Sequence, residues 1–318
     1  MEQTQTALQN QRLYYLDWLR VLAFGLLFIF HSMCFFHHFP WLIKNPDKSV
    51  FASFMVGFLH GWRMHLIFFV SGVGSYFALR SRKKLFIQDR FKRLLIPFLF
   101  GILLIVPPQK YLQAISTGIF EGSFFDFILS YPSFIVKDFP GISLEFTGHV
   151  GLHIWYLAFL FIMTLVFLPF LKSVTKVSKL NQITNKIFEK KSGLVFFIIV
   201  MLIFDFFSRP FFPEYRDWAD FINYGFFFLL GYLSMVHNDI IVYAKKDTYH
   251  CVLFGFIAAL VYLFLYSQFP EVQRHEISTP FFLYILFSNI TAFSWVLFFF
   301  GLSQRKLNFN HKLLSSLN

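Results

Sequence analysis

An all-α bundle that crosses a membrane several times is the fold this chain predicts, and three observations predict it. The 318 residues are 57% hydrophobic with a mean hydropathy of +0.59. Only 14% are charged, too few to cover a soluble domain of this size. Apolar runs of roughly 18–20 residues recur along the whole length, each long enough for a membrane helix. Eight spans are expected, at 15–36, 58–79, 94–109, 150–171, 193–209, 219–236, 250–268 and 280–301. They form one domain over 1–318.

The first span opens after a polar stretch and is broken by Asp17 and Arg20, with no small-residue cleavage site, so it does not read as a removable signal. The third is short and carries Pro97, Pro107 and Pro108, which predicts a kink because proline removes a helix donor. The stretch 110–149 reads as a long loop, the length at which lids and binding loops occur. In the second span, Ser71-Gly72-x-Gly74 reads as a close helix contact. Most of the 51 Phe residues are expected to pack or to face lipid. Cys34 and Cys251 lie in or beside apolar segments, a pattern of neither zinc nor redox chemistry.

The net charge of +11 sits between the spans, so it reports topology and not nucleic-acid binding. Segment 80–93 holds Arg80, Arg82, Lys83, Lys84, Arg90, Lys92 and Arg93; segment 172–191 adds six lysines. Lys245, Lys246, Arg305, Lys306 and Lys312 fall on the same side. Acids such as Glu121, Asp126, Asp138, Glu145, Glu214, Asp217, Asp220, Glu271 and Glu276 fall on the other. The excess of Lys and Arg predicts cytoplasmic termini.

A charged residue at a bilayer centre costs at least about 2.5–3.5 kcal/mol, so ionisable groups within spans line an interior or a pathway. Arg20 and His31 are eleven residues apart in the first span, which returns them to within roughly 20° of one helix face with a rise of roughly 16 Å. His31 has the side chain suited to a general base near neutral pH; a plain buried histidine is the alternative, as snorkelling is for Arg20. His60 and Arg63 share a face at a similar depth, and the Arg63 fork suits a carboxylate or a sugar hydroxyl, or else anchors the helix at the interface. Arg90 and Arg93, one turn apart, suit a phosphorylated ligand or a lipid headgroup. His149 and His153 have an H-x3-H spacing without a third ligand, so no metal is expected, and His153 beside Trp155 reads as a site or structural residue. Glu145 could bind hydroxyls, orient a histidine or simply be solvated, and Asp205 near the outer end of the fifth span could contribute in the same way.

Read in order, Tyr15-Leu-Asp-Trp-Leu-Arg20 with His31, Arg63-Met64 running to Phe68-Phe-Val-Ser-Gly72, Arg90-x-x-Arg93 and His153-Ile-Trp-Tyr-Leu157 resemble the membrane acyltransferase family 3. The resemblance is carried by residues 14–160; later spans match mainly in hydropathy. It implies a multi-pass protein of the bacterial inner membrane. It also implies transfer of an acyl group, succinyl or acetyl, from cytoplasmic acyl-CoA to a hydroxyl of a periplasmic or cell-surface glycan, with no bound cofactor. Under it, His31 and Arg20 are catalytic, Arg90 and Arg93 bind the donor, and Arg63, His60, Glu145 and His153 shape the acceptor side. Direct transfer and an acyl-histidine relay are both open. The family is expected to have about ten spans, so the last two would be missing from 1–318. An inactive truncated member and a transporter of a glycan or organic anion are therefore the competing readings.

Overall fold

The computed structural model describes residues 13–81, 84–137, 143–176, 178–269, 272, 275–312 and 314. Arg82, Lys83, Asp138 and Glu271, used above for orientation, lie outside them. Every regular element among the described residues is helical. In chain order these are α1 (Tyr14–Cys34), α2 (Val50–His60), α3 (Arg63–Ser81), α4 (Phe86–Ser116), α5 (Phe124–Lys137), α6 (Glu145–Gly151), α7 (Trp155–Val174), α8 (Lys179–Phe188), α9 (Ser192–Ser208), α10 (Trp218–Val236), α11 (Asn238–Lys246), α12 (Thr248–Gln268) and α13 (Thr279–Lys306).

Seven helical segments among the described residues are long and apolar enough to cross a bilayer. An eighth is reached if α8 and the 17-residue, mostly apolar α9, which bend by 108° from one another, are taken together. Each of the eight expected spans therefore has a helix, with two differences in form. The third is not short. It runs 31 residues as α4 and absorbs its prolines through two π-helical stretches, Phe91–Leu95 before Pro97 and Gly101–Ile105 before Pro107 and Pro108. Such stretches reroute the backbone bonds that proline cannot complete. The expected long loop is also largely helical: α4 continues to Ser116 and α5 follows, closed over a small cluster of Val106, Ala114, Phe127 and Tyr131. Aromatic spacing in α5 hides this helix from a loop-length argument.

The core is centred where α3 crosses α10. Phe68, Phe69, Phe159, Phe227, Phe228, Tyr232, Val296 and Phe300 are fully buried there. Gly72 makes the crossing possible, because a Cβ at that position would run into the Phe228 carbonyl; Gly231 meets the Phe69 carbonyl in the same way. Gly74 faces open space, so only half of the small-residue motif is a contact. Phe28, Phe125, Phe207 and Phe211 are among the exposed aromatics, the pattern of a lipid-facing surface.

Candidate active site

α1 is uninterrupted from Tyr14 to Cys34, so it carries Arg20 toward one end of the bundle and His31 toward the other. His31 Nδ1 lies 2.7 Å from the Leu27 carbonyl one turn back. A carbonyl can only accept, so Nδ1 donates its proton and Nε2 is left with a free lone pair. The ring centroid of His31 is 5.9 Å from that of His153 and 6.1 Å from that of Trp41. His153 reaches this position because Leu152 adopts the left-handed region (φ 46°), breaking the chain between α6 and α7. The same break separates the H-x3-H pair: His149 Nε2 bonds the Ile135 carbonyl at 3.1 Å, while His153 faces His31.

Arg63 is 5% exposed, and its guanidinium carbon sits 3.3 Å from the centroid of Phe30, the neighbour of His31. Its Nε and one Nη are buried with no hydrogen-bond partner among the described residues. The Tyr215 hydroxyl interacts with the remaining part of the guanidinium; burial pushes that phenol upward and Arg63 opposes the shift. His60 also packs toward Phe30 (6.3 Å) and toward Tyr215 (5.3 Å). The His60 side chain is exposed at the end of α2, beside the buried Arg63. The predicted shared face of His60 and Arg63 is made differently from one helix turn: α2 ends at His60, α3 begins at Arg63, and both converge on Phe30 across the break.

Beside these residues lies a second polar cluster. Arg209 donates to Asp205 Oδ1 (2.8 and 3.2 Å) and to Asp220 Oδ1 (2.6 Å). Asn289 donates to Asp205 Oδ2 (2.7 Å) and accepts from Asn223 (2.8 Å), which in turn meets His65 Nε2 at 2.9 Å. Asp220 Oδ2 receives the Arg216 backbone N–H (2.7 Å), and the Arg216 side chain caps the Gly148 and Leu152 carbonyls. This clamp fixes the 209–217 turn, and with it Tyr215, against the segment that carries His153. Of its members, the sequence marks only Asp205 as a candidate site residue. The Asp205–Arg209 spacing of four was a readable signal; the partners Asn223 and Asn289 become visible only once the helices pack.

At the opposite end, Arg90 is half-buried, 5.2 Å from the Phe86 centroid, and lies within electrostatic range of Arg93 and Arg20. Arg20 pairs with Asp17 at 3.7 Å. The structure thus groups Arg20, Arg90 and Arg93 in one place, and His31, His60, Arg63 and His153 in another. Glu145 opens α6 on the latter side, half-buried, and no hydrogen bond or ion pair joins it to the His31 cluster among the described residues. No group of three His, Cys, Asp or Glu side chains among the described residues could hold a metal ion.

An all-helical, multi-pass membrane protein with a histidine–arginine cluster is the class these features define. Residues 13–318 match the Acyltransferase domain model (Acyl_transf_3), and the chain belongs to that family. Its curated relatives include the glucans biosynthesis protein C of Escherichia coli (strains SMS-3-5 / SECEC and O157:H7 EC4115 / EHEC) and of Shigella dysenteriae serotype 1 (strain Sd197). Each is 24% identical over 269 residues, which cover 80% of this chain and 66% of the relative. The match therefore spans slightly less than two thirds of those proteins. No solved structure matches.

Proposed function

We infer that this membrane acyltransferase moves an acyl group, succinyl or acetyl, from acyl-CoA on the cytoplasmic side to a hydroxyl of a periplasmic or cell-surface glycan, in the bacterial inner membrane. The observation that carries this reading is the free Nε2 of His31 beside Arg63 with its open donors, and an arginine cluster from α1 and α4 around the other end of α1. The basic end of the bundle faces the cytoplasm under the positive-inside rule, and both termini with it.

Arg90 and Arg93, with Arg20, hold the phosphates of the donor, for which guanidinium is the suited partner. A rise of roughly 16 Å along α1 leaves the donor's flexible arm to reach His31. His31 Nε2 takes the proton of the acceptor hydroxyl. The acceptor oxygen then attacks the thioester carbonyl, a C–O bond forms, the C–S bond breaks, and the proton passes to the departing thiolate. In the relay version His31 Nε2 itself attacks the thioester, an N–C bond forms and the C–S bond breaks to release thiolate; the sugar oxygen then attacks the acyl-imidazole, the C–N bond breaks to return the imidazole, and the hydroxyl proton ends on the thiolate. Arg63 supplies fixed positive charge where the carbonyl oxygen becomes negative, the use in which preorganised donors matter most. His60 and His153 line the acceptor's approach, with Glu145 at its rim.

The test is mass spectrometry of glycans extracted from a deletion strain carrying this chain or its His31→Ala form. The account expects a mass increment with the first and none with the second, at equal membrane protein. Undiminished acylation with His31→Ala removes His31 from the chemistry. No increment from either favours the transporter reading.

A further inference from the structure

A cavity of about 760 Å³ opens at the basic end of the bundle, between α3, α7, α8 and α10. It shares no lining residue with the Arg20–Arg90–Arg93 cluster, which belongs to α1 and α4. Arg80, Lys172 and Lys176 contribute three positive charges to its wall, and no acid lines it. Among the described residues none of the three is in an ion pair.

The neutral polar groups of the wall are already committed. Tyr76 accepts from Arg80, whose guanidinium also packs 5.3 Å from the Tyr76 ring centroid. Tyr232 donates to the Leu171 carbonyl at 2.9 Å, and Asn181 donates to the Val174 carbonyl at 2.5 Å. These bonds fix the walls, and the cations supply the charged donors that face the space between them. The volume is that of a small-molecule site, but the lining is cationic instead of apolar. A topological charge bias accounts for basic residues at this end; it does not by itself place three of them around one open cavity whose wall holds no acid.

We propose that this cavity is a second anion site, built for a phosphate ester. Two sources bring that chemistry to this end of the protein. One is the nucleotide end of the donor: if the donor is an acyl-CoA, as inferred above, it carries a ribose phosphate in addition to its diphosphate, and two separate basic clusters match two separate phosphate groups. The other source is the headgroup of an anionic lipid.

The experiment uses the full chain in phosphatidylcholine nanodiscs, titrated with CoA and with dephospho-CoA, which lacks the ribose phosphate. Arg80→Gln/Lys172→Gln/Lys176→Gln is the matching variant; all three side chains are exposed, so it is expected to fold. The single Lys172→Gln protein serves as a milder second variant. The expected result is that wild type binds CoA about tenfold more tightly than dephospho-CoA, the size of one lost charge-assisted contact. The triple variant abolishes that difference and leaves dephospho-CoA unchanged, with Lys172→Gln in between. A parallel arm replaces part of the lipid with phosphatidylglycerol and reads lipid adducts by native mass spectrometry. Adducts that the wild type retains and the triple variant loses, without a CoA contrast, support the phosphate site with lipid as its source. If wild type and triple variant agree in both arms, the proposal is overturned. If wild type binds no CoA at all, the donor reading fails, and the lipid arm still decides the cavity.

Discussion

Two buried polar clusters lie side by side at the acidic end of this bundle, and they differ in one respect. In the Asp205–Arg209–Asp220–Asn289 cluster each charge meets an opposite charge or an amide at 2.6–3.2 Å. In the His31–Arg63–His153 cluster the guanidinium is buried over an aromatic ring with two N–H groups unanswered, and the histidine keeps a free ring nitrogen. A buried cation between two carboxylates holds a geometry; a buried cation with open donors has them available for a ligand. The first cluster reads as architecture and the second as the site at which the proposed function places the chemistry. The first also serves the second, since Arg209 and Arg216 fix the turn that presents Tyr215.

Substitutions can break this division. His31→Ala is expected to have the largest effect, a loss of about 10²–10⁴-fold in acyl transfer, the range for removing a general base, with an unchanged melting temperature. Donor consumption by purified protein measures it. Arg209→Gln is expected to act on stability instead: it leaves Asp205 and Asp220 without their cation, at a cost of about 3–5 kcal/mol, read as a lowered midpoint of unfolding. Should Arg209→Gln leave stability intact, the clamp is not structural.

Arg63→Gln sharpens the comparison, because the two clusters predict opposite signs. Removing a buried charge with open donors is expected to leave stability equal or higher, while transfer falls by about 10²–10³-fold. The smallest effects concern glycine. Gly72→Ala is expected to force α3 from α10 at about 1–3 kcal/mol, whereas Gly74→Ala, facing open space, stays within about 0.5 kcal/mol. Equal effects at the two positions would show that the Phe228 carbonyl does not set the crossing.

The sequence made spans, and the charged or switchable residues inside them, readable because hydropathy and charge are local properties. His31, Arg63, His60 and His153 could be named for that reason, and so could the arginines at the other end. What was hidden depends on packing. The prolines of α4 suggested a shorter, kinked span, since π-helical rerouting leaves no composition signature. Residues 124–137 looked like loop because their helix closes over aromatics already used for hydropathy. Asn223 and Asn289 are unremarkable one at a time; their role exists only between α9, α10 and α13. The break at Leu152, which turns His153 toward His31 and His149 away, has no marker in a residue that rarely adopts positive φ.

The measurement that bears most directly on this division is the thermal unfolding midpoint of Arg63→Gln against wild type in the same lipid, on samples whose acyl transfer has been assayed. An equal or higher midpoint with transfer lost is the predicted result. A midpoint lowered by as much as that of Arg209→Gln would contradict the account and make Arg63 another strut of the fold.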